Sequence, residues 1–279
     1  MERSIPPTGS TKHSFSQAPV NGEVTLACSA PTDASSRAGL GLKGVFIYAI
    51  KQHPKRNCPS QRRLRKDGPM IVTLIGMSGS GKTYCSRRLA ELGFDRICCD
   101  ERIEEKLRPF LRKGGYKGIE GLARWMGQPH EPRYREREAA YLSAETDVVQ
   151  EVLDDLQKGA KGSLAIDTTG SVVYAGDKLC RALQAATTVI YLENSPADLS
   201  MLFEEYTKNP KPVVWGDSFS RRAEETIEAA LARSYGELLQ YRRSLYERYA
   251  EITLPASLLR KEGTNSRGLL DLLQVRRAG

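Results

Sequence analysis

The sequence predicts an α/β fold, a parallel sheet covered by helices on both faces, and two observations carry that prediction. From Met70 onward, short apolar runs alternate with stretches of helical period, the pattern left by strand–helix–strand crossovers. The first run, Ile71–Ile75, leads into Gly76-Met77-Ser78-Gly79-Ser80-Gly81-Lys82-Thr83 and then into an amphipathic stretch. A G-x-x-x-x-G-K-[ST] loop between a strand and a helix is a phosphate-binding loop.

Residues 71–75 form the first expected strand, and residues 82–92 the helix behind the loop, closed by Gly93. Residues 96–99 read as strand two. A helix opens at Asp100 and is expected to end near Leu107, because Pro109 removes a helical hydrogen bond. Residues 109–134 read as loop, with a short helix near 119–126. A long helical period covers 134–156, and strand three covers 163–166, ending at Asp167. Residues 187–192 are the fourth strand and 197–206 a helix; Asn209-Pro210-Lys211-Pro212 then breaks the chain. A helical region over 221–249 precedes the last strand, 251–254. Residues 69–279 are thus expected to be one domain, without internal repeats.

Phosphate is a compact anion, so the loop must aim several backbone N–H groups at one point. Gly76, Gly79 and Gly81 permit the tight turns and close approach that a Cβ would block. Met77, Ser78 and Ser80 complete the ring of amides, and the helix behind it turns its positive end the same way. Lys82 is placed to reach β- and γ-phosphates, and the Thr83 hydroxyl to ligate Mg²⁺. A plain Gly-rich turn is the competing reading; the four constrained positions and both correct flanks favour a nucleoside triphosphate site.

Composition excludes other classes. The chain has 279 residues, 40% of them apolar and 27% charged, ordinary for a globular protein. No apolar run approaches the ~20 residues that span a bilayer, so no membrane partner is expected. Six cysteines and three histidines show neither a C-x-x-C pair nor metal-like spacing. The net charge of +8 lies wholly in residues 1–66, which hold 11 Lys/Arg and 3 Asp/Glu. The remaining residues are electrically balanced, which argues against a nucleic-acid partner. Residues 1–68 are basic, low in complexity and without a persistent period. They read as a disordered tail, as a processed organellar leader, or as an over-extended start ahead of Met70. The expected compartment is the cytoplasm, or a plastid or other organelle if residues 1–68 are a transit peptide.

Five further features follow the loop in order: Asp100-Glu101-Arg102-Ile103-Glu104, Tyr134-Arg135-Glu136-Arg137-Glu138, Thr169-Gly170-Ser171, Lys211-Pro212-Val213-Val214 and Arg242-Arg243-Ser244-Leu245-Tyr246. With the loop, this series resembles shikimate kinase, a small kinase of the nucleoside-monophosphate-kinase architecture, over residues 70 to about 256. That family shows D-x-x-I-E, F-R-x-x-E, a triple glycine, R-P-L-L in a lid, and R-x-P-L-Y. The resemblance implies a three-layer fold with five parallel strands in the order 2-3-1-4-5 and a mobile lid. It implies transfer of the γ-phosphoryl group of ATP, with Mg²⁺, to a hydroxyl of a small carboxylate-bearing acceptor such as shikimate, by a monomer. Asp100 would take the acceptor hydroxyl, Arg135 and Arg242 its carboxylate, and Gly170 would offer a backbone N–H. Lys211 and Lys82 would face the transferring phosphate.

Each residue has a plainer alternative. Asp100 could cap a helix, Arg135 could belong to a solvated charge run, and Lys211 could be an ordinary loop lysine. The chain also departs from the family. Cys98 stands where a metal-serving aspartate is expected, and Asp167 is expected to take over the metal with Thr83. Side chains flank Gly170, and a lysine replaces the lid arginine. Two other functions therefore stay open: a kinase of another acceptor, such as a nucleoside monophosphate or sugar acid, and a nucleotide-binding module without turnover.

Overall fold

Five parallel strands form the sheet in a computed structural model that describes residues 68–260 and 266–278. The readings made for residues 1–67 lie outside these. The strands are β1 (Ile71–Ile75), β2 (Asp95–Cys98), β3 (Leu164–Asp167), β4 (Thr188–Glu193) and β5 (Ile252–Pro255), in the order β2-β3-β1-β4-β5. Alternate residues of each strand face opposite sides, so the sheet separates two apolar cores. Val72 and Leu74 of β1, with Ile190 and Leu192 of β4, pack under α1 (Lys82–Ala90) and α8 (Ser266–Ala278). Ile75, Ile166, Val189 and Tyr191 face the larger core. That core is built by α2 (Cys99–Lys113), α3 (Gly118–Met126), α4 (Tyr134–Gln157), α5 (Asp177–Ala186), α6 (Pro196–Lys208) and α7 (Ile227–Tyr249). Leu74 and Cys98 both lie level with Asp167, so the carboxyl ends of the adjacent strands β2, β3 and β1 open at one edge. In open parallel sheets that edge is where ligands bind.

Three elements differ from the sequence reading. Helix α2 does not stop before Pro109 but runs through it to Lys113. The lost bond and ring clash cost about 3 kcal/mol. Beyond the proline, Leu111, 2% exposed, contributes about 1.5–3 kcal/mol by burial, which offsets much of that cost. Helix α5 supplies the crossover from β3 to β4; its apolar face of Leu179, Cys180, Ala182, Leu183 and Ala186 does carry a helical period, which the sequence reading passed over. Helix α8 was likewise unanticipated, and it seats Leu269 and Leu273 on the smaller core. Helix α7 starts at Ile227, where the Thr226 hydroxyl accepts from the Ala229 N–H. No helix among the described residues is long and apolar enough to cross a membrane.

Candidate active site

The phosphate loop is shaped by its glycines. Gly76, Gly79 and Gly81 have φ of +145°, +82° and +97°, and Gly81 is the left-handed N-cap of α1. A Cβ on Gly76 would lie 2.8 Å from the Leu192 carbonyl oxygen, so β4 closes that side of the loop. The Lys82 ammonium folds over the loop, donating to the carbonyls of Gly76 at 2.9 Å and Met77 at 2.8 Å. Burial pushes its pKa down to about 8, against the opposing pull of Asp100 and Asp167. An anion arriving at the loop restores full charge to this lysine.

Beside the loop, Asp167 is 1% exposed. Its Oδ2 accepts from Ser86 Oγ at 3.1 Å and from the Arg96 guanidinium at 3.0 Å, while Oδ1 is buried without a hydrogen-bond partner. That single orphaned oxygen fits contact with a hydrated divalent ion held by the Thr83 hydroxyl, because Arg96 already occupies the other oxygen. Cys98 does not fit a metal role. Burial raises its thiol to about 11, so it stays protonated at neutral pH. No group of three or more His, Cys, Asp or Glu side chains among the described residues is arranged to hold a metal ion.

Across the loop lies a second set of groups. Asp100, in the first turn of α2, is partly exposed. Burial of its carboxyl group raises the pKa, Lys82 and Lys211 pull it back, and Asp167 adds to the rise. Lys211 and Arg242 both act on the Lys82 charge. Arg242 of α7, 4% exposed, donates to the Gly170 carbonyl at 3.2 Å and the Val214 carbonyl at 2.5 Å. Gly170 is where the two halves meet. A Cβ there would stand 3.2 Å from the Ser78 amide nitrogen and 3.4 Å from the Arg242 guanidinium. Lys82, Asp100, Asp167, Gly170, Lys211 and Arg242 thus share one cleft.

Arg135 is not brought into that cleft. Its half-exposed guanidinium binds Glu138 at 3.1 Å and the Gly216 carbonyl at 2.6 Å, and lies 3.5 Å from Asp217. The reason is register along α4. The pattern Tyr-x-x-x-Glu occurs twice, seven residues apart, as Tyr134/Glu138 and Tyr141/Glu145. The second copy faces the acceptor loop: Glu145 Oε1 accepts from the hydroxyls of Thr169 and Ser171, the latter at 3.0 Å. The Tyr141 hydroxyl meets the same two side chains. In the second copy the position after the tyrosine holds Leu142, where the first copy has Arg135. Glu145 is fully buried, its Oε2 has no hydrogen-bond partner, and burial lifts its pKa to about 7, with Asp100 adding to the rise. The sequence reading missed this residue; the repeat was the available signal.

Beyond β4 and β5, a cavity of about 250 Å³ is lined by Asn194, Ser195, Ser257 and the ion pair of Glu193 with Arg243, among others. Both polar atoms of the Asn194 side chain, 3% exposed, are without hydrogen-bond partners.

With this geometry in view, comparison with known proteins is informative. No family model matches the chain. A shikimate kinase from Enterococcus faecalis is 25% identical over 186 residues, which cover 66% of this chain and 86% of that protein. One from Chlorobaculum parvum is 24% identical over 179 residues, covering 64% and 79%. The chain is a shikimate kinase-like P-loop kinase. Among solved structures, the shikimate kinase from Acinetobacter baumannii in complex with shikimate aligns with a TM-score of 0.49 at 23% identity. That alignment covers 75% of the kinase and 93% of the Acinetobacter chain.

Proposed function

We propose that residues 69–279 form one kinase domain that transfers the γ-phosphoryl group of ATP to a hydroxyl of a small carboxylate-bearing acceptor, with shikimate the first candidate. The observation that supports this reading is the junction at Gly170, where the Arg242 guanidinium stands against the phosphate loop. The loop amides and Lys82 hold the phosphates. The base fits the cavity after β4 and β5, where the Asn194 amide offers one donor and one acceptor to a purine edge. A Mg²⁺ ion held by Thr83 and, through water, by Asp167 Oδ1 would neutralise charge on the phosphates.

Phosphoryl transfer asks the protein mainly to position two reactants and to balance charge on the γ-phosphoryl oxygens. Asp100 orients the acceptor hydroxyl and takes its proton. Its raised pKa, moderated by two lysines, suits a group that must hold a proton transiently. Lys211 and Lys82 face the oxygens of the transferred group, and Arg242 holds the acceptor carboxylate.

A second acceptor class has its own support. With Leu142 in the second Tyr-x-x-x-Glu frame and Arg135 turned to Gly216, the arginine bonded to Gly170 is Arg242. Glu145 beside it favours an acceptor that also presents a hydrogen-bond donor, as a sugar acid does.

The test is ADP release by the full chain with shikimate, D-gluconate, other sugar acids and nucleoside monophosphates. A hydroxy acid should raise release well above the background rate, and Asp100→Asn should lower that rate by about 100-fold or more, the scale of losing general base catalysis. If ATP binds and no acceptor raises release, the chain is a nucleotide-binding module without turnover.

A further inference from the structure

The first Tyr-x-x-x-Glu frame of α4 holds the segment after Lys211. Glu138, 4% exposed, accepts on Oε1 from the Trp215 N–H at 2.6 Å, the Gly216 N–H at 2.8 Å and the Tyr134 hydroxyl at 2.6 Å. Arg135 donates to its Oε2, and the Tyr134 oxygen also lies 2.7 Å from the Val213 carbonyl. The Val213 carbonyl and the Trp215 and Gly216 N–H groups are therefore docked on two side chains of one helical turn. Trp215, 1% exposed, is wedged among Tyr206, Tyr235 and Phe219. Docked this way, the strap points the Val214 carbonyl at Arg242.

We propose that Glu138 is a positioning residue: it docks the strap of residues 213–216 so that the Val214 carbonyl occupies Arg242 until an acceptor carboxylate displaces it. The inference rests on the reading of Arg242 as the acceptor's anion site. Arg242 is buried, so an empty site would leave its guanidinium unsatisfied, which is costly. The neutral carbonyl occupies its Nη2 while Nε stays buried without a partner, and it holds less tightly than a carboxylate, which adds a second charge and a bidentate grip. The same docking fixes Lys211, three residues before Val214, where it acts on Lys82 and Asp100. Glu138 thus trades acceptor affinity for a placed cation.

The chain has two tryptophans, so Trp125→Phe leaves Trp215 as the sole indole reporter. In that background, Glu138→Ala should raise acrylamide quenching of Trp215 several-fold while the far-ultraviolet circular dichroism stays native, with Glu138→Gln in between. KM for shikimate, or for whichever hydroxy acid of the panel turns over, should fall by about tenfold or more, the scale of one hydrogen bond to a charged group. Turnover should fall with it, because Lys211 is no longer held. A merely structural role lowers the active fraction, counted by nucleotide binding, and leaves KM in place. Unchanged quenching, or a KM that stays level or rises, overturns the proposal. If Glu138→Ala does not fold, the same comparisons decide on Glu138→Gln. The quenching measurement uses no substrate, so a parent protein that phosphorylates nothing refutes the transfer reading and leaves the docking judged on quenching alone.

Discussion

Replacing Gly170 by alanine inserts one methyl group between the phosphate loop and Arg242. The Cβ would stand 3.2 Å from the Ser78 amide nitrogen, 3.4 Å from the Arg242 guanidinium and 3.7 Å from the Gly76 carbonyl oxygen. Two of these three neighbours are backbone, and the Arg242 guanidinium is pinned by the carbonyls of Gly170 and Val214. The loop must therefore give by a few tenths of an ångström. Overpacking of this kind costs about 1–3 kcal/mol. Where the strain falls on ligand binding, it weakens nucleotide affinity by about 5- to 150-fold. The assay is a titration of ATP against the Gly170→Ala protein, with thermal melting of the free protein alongside. Gly236 in α7 is the control, since a Cβ there meets nothing within 4 Å. Gly236→Ala should stabilise by about 0.5–1 kcal/mol through chain entropy and leave nucleotide affinity unchanged. If Gly170→Ala binds ATP as tightly as the parent and melts at the same temperature, Gly170 does not join the two halves of the site, and the cleft argument fails with it.

Other expectations follow from the same geometry. Glu145 has a folded pKa of about 7, above its ordinary 4.5, so the native state binds more protons than the unfolded chain between those values. Stability from this group is therefore present below about pH 4.5 and lost as pH rises to 7, by at most about 3 kcal/mol; denaturant titrations at pH 5 and 7.5 should show that fall and Glu145→Gln should flatten it. Lys82 has a pKa of about 8 in the free loop. ATP binding at pH 8.5 should take up as much as about three quarters of a proton, visible as a dependence of calorimetric enthalpy on buffer ionisation; a buffer-independent enthalpy would mean the lysine is already charged. Asp167→Asn should lower Mg²⁺-dependent turnover by about tenfold or more. Because it also unpairs Arg96, the rate must be referred to the fraction that binds nucleotide.

Much of the site is readable in the chain because its chemistry is local. The phosphate loop is contiguous, and Asp100 and Asp167 sit where apolar runs end, so their edge of the sheet follows from the parallel topology. Lys211 and Arg242 needed the ordered series of motifs. What could not be read is register. Tyr134/Glu138 and Tyr141/Glu145 present the same pattern, and choosing between them requires knowing how far α4 extends along the sheet. Residues 114–132 precede that helix and blur the choice. The partner of Asp167 was hidden for a related reason: Arg96 is an ordinary residue of β2 until the β2–β3 pairing sets it beside that carboxylate. Helix α8 escaped notice because few of its apolar side chains enter a core; α5 did carry a readable apolar face and was passed over.

The twin glutamates of α4 have a mechanical corollary. Seven residues of helix span about 10.5 Å, and a helix of 24 residues whose inner face is buried behaves as a stiff rod. One end of that span grips the strap of residues 213–216, the other the hydroxyls of Thr169 and Ser171. A tilt of the rod that loosens one grip must disturb the other, so the strap and the Thr169–Ser171 turn move on a common lever.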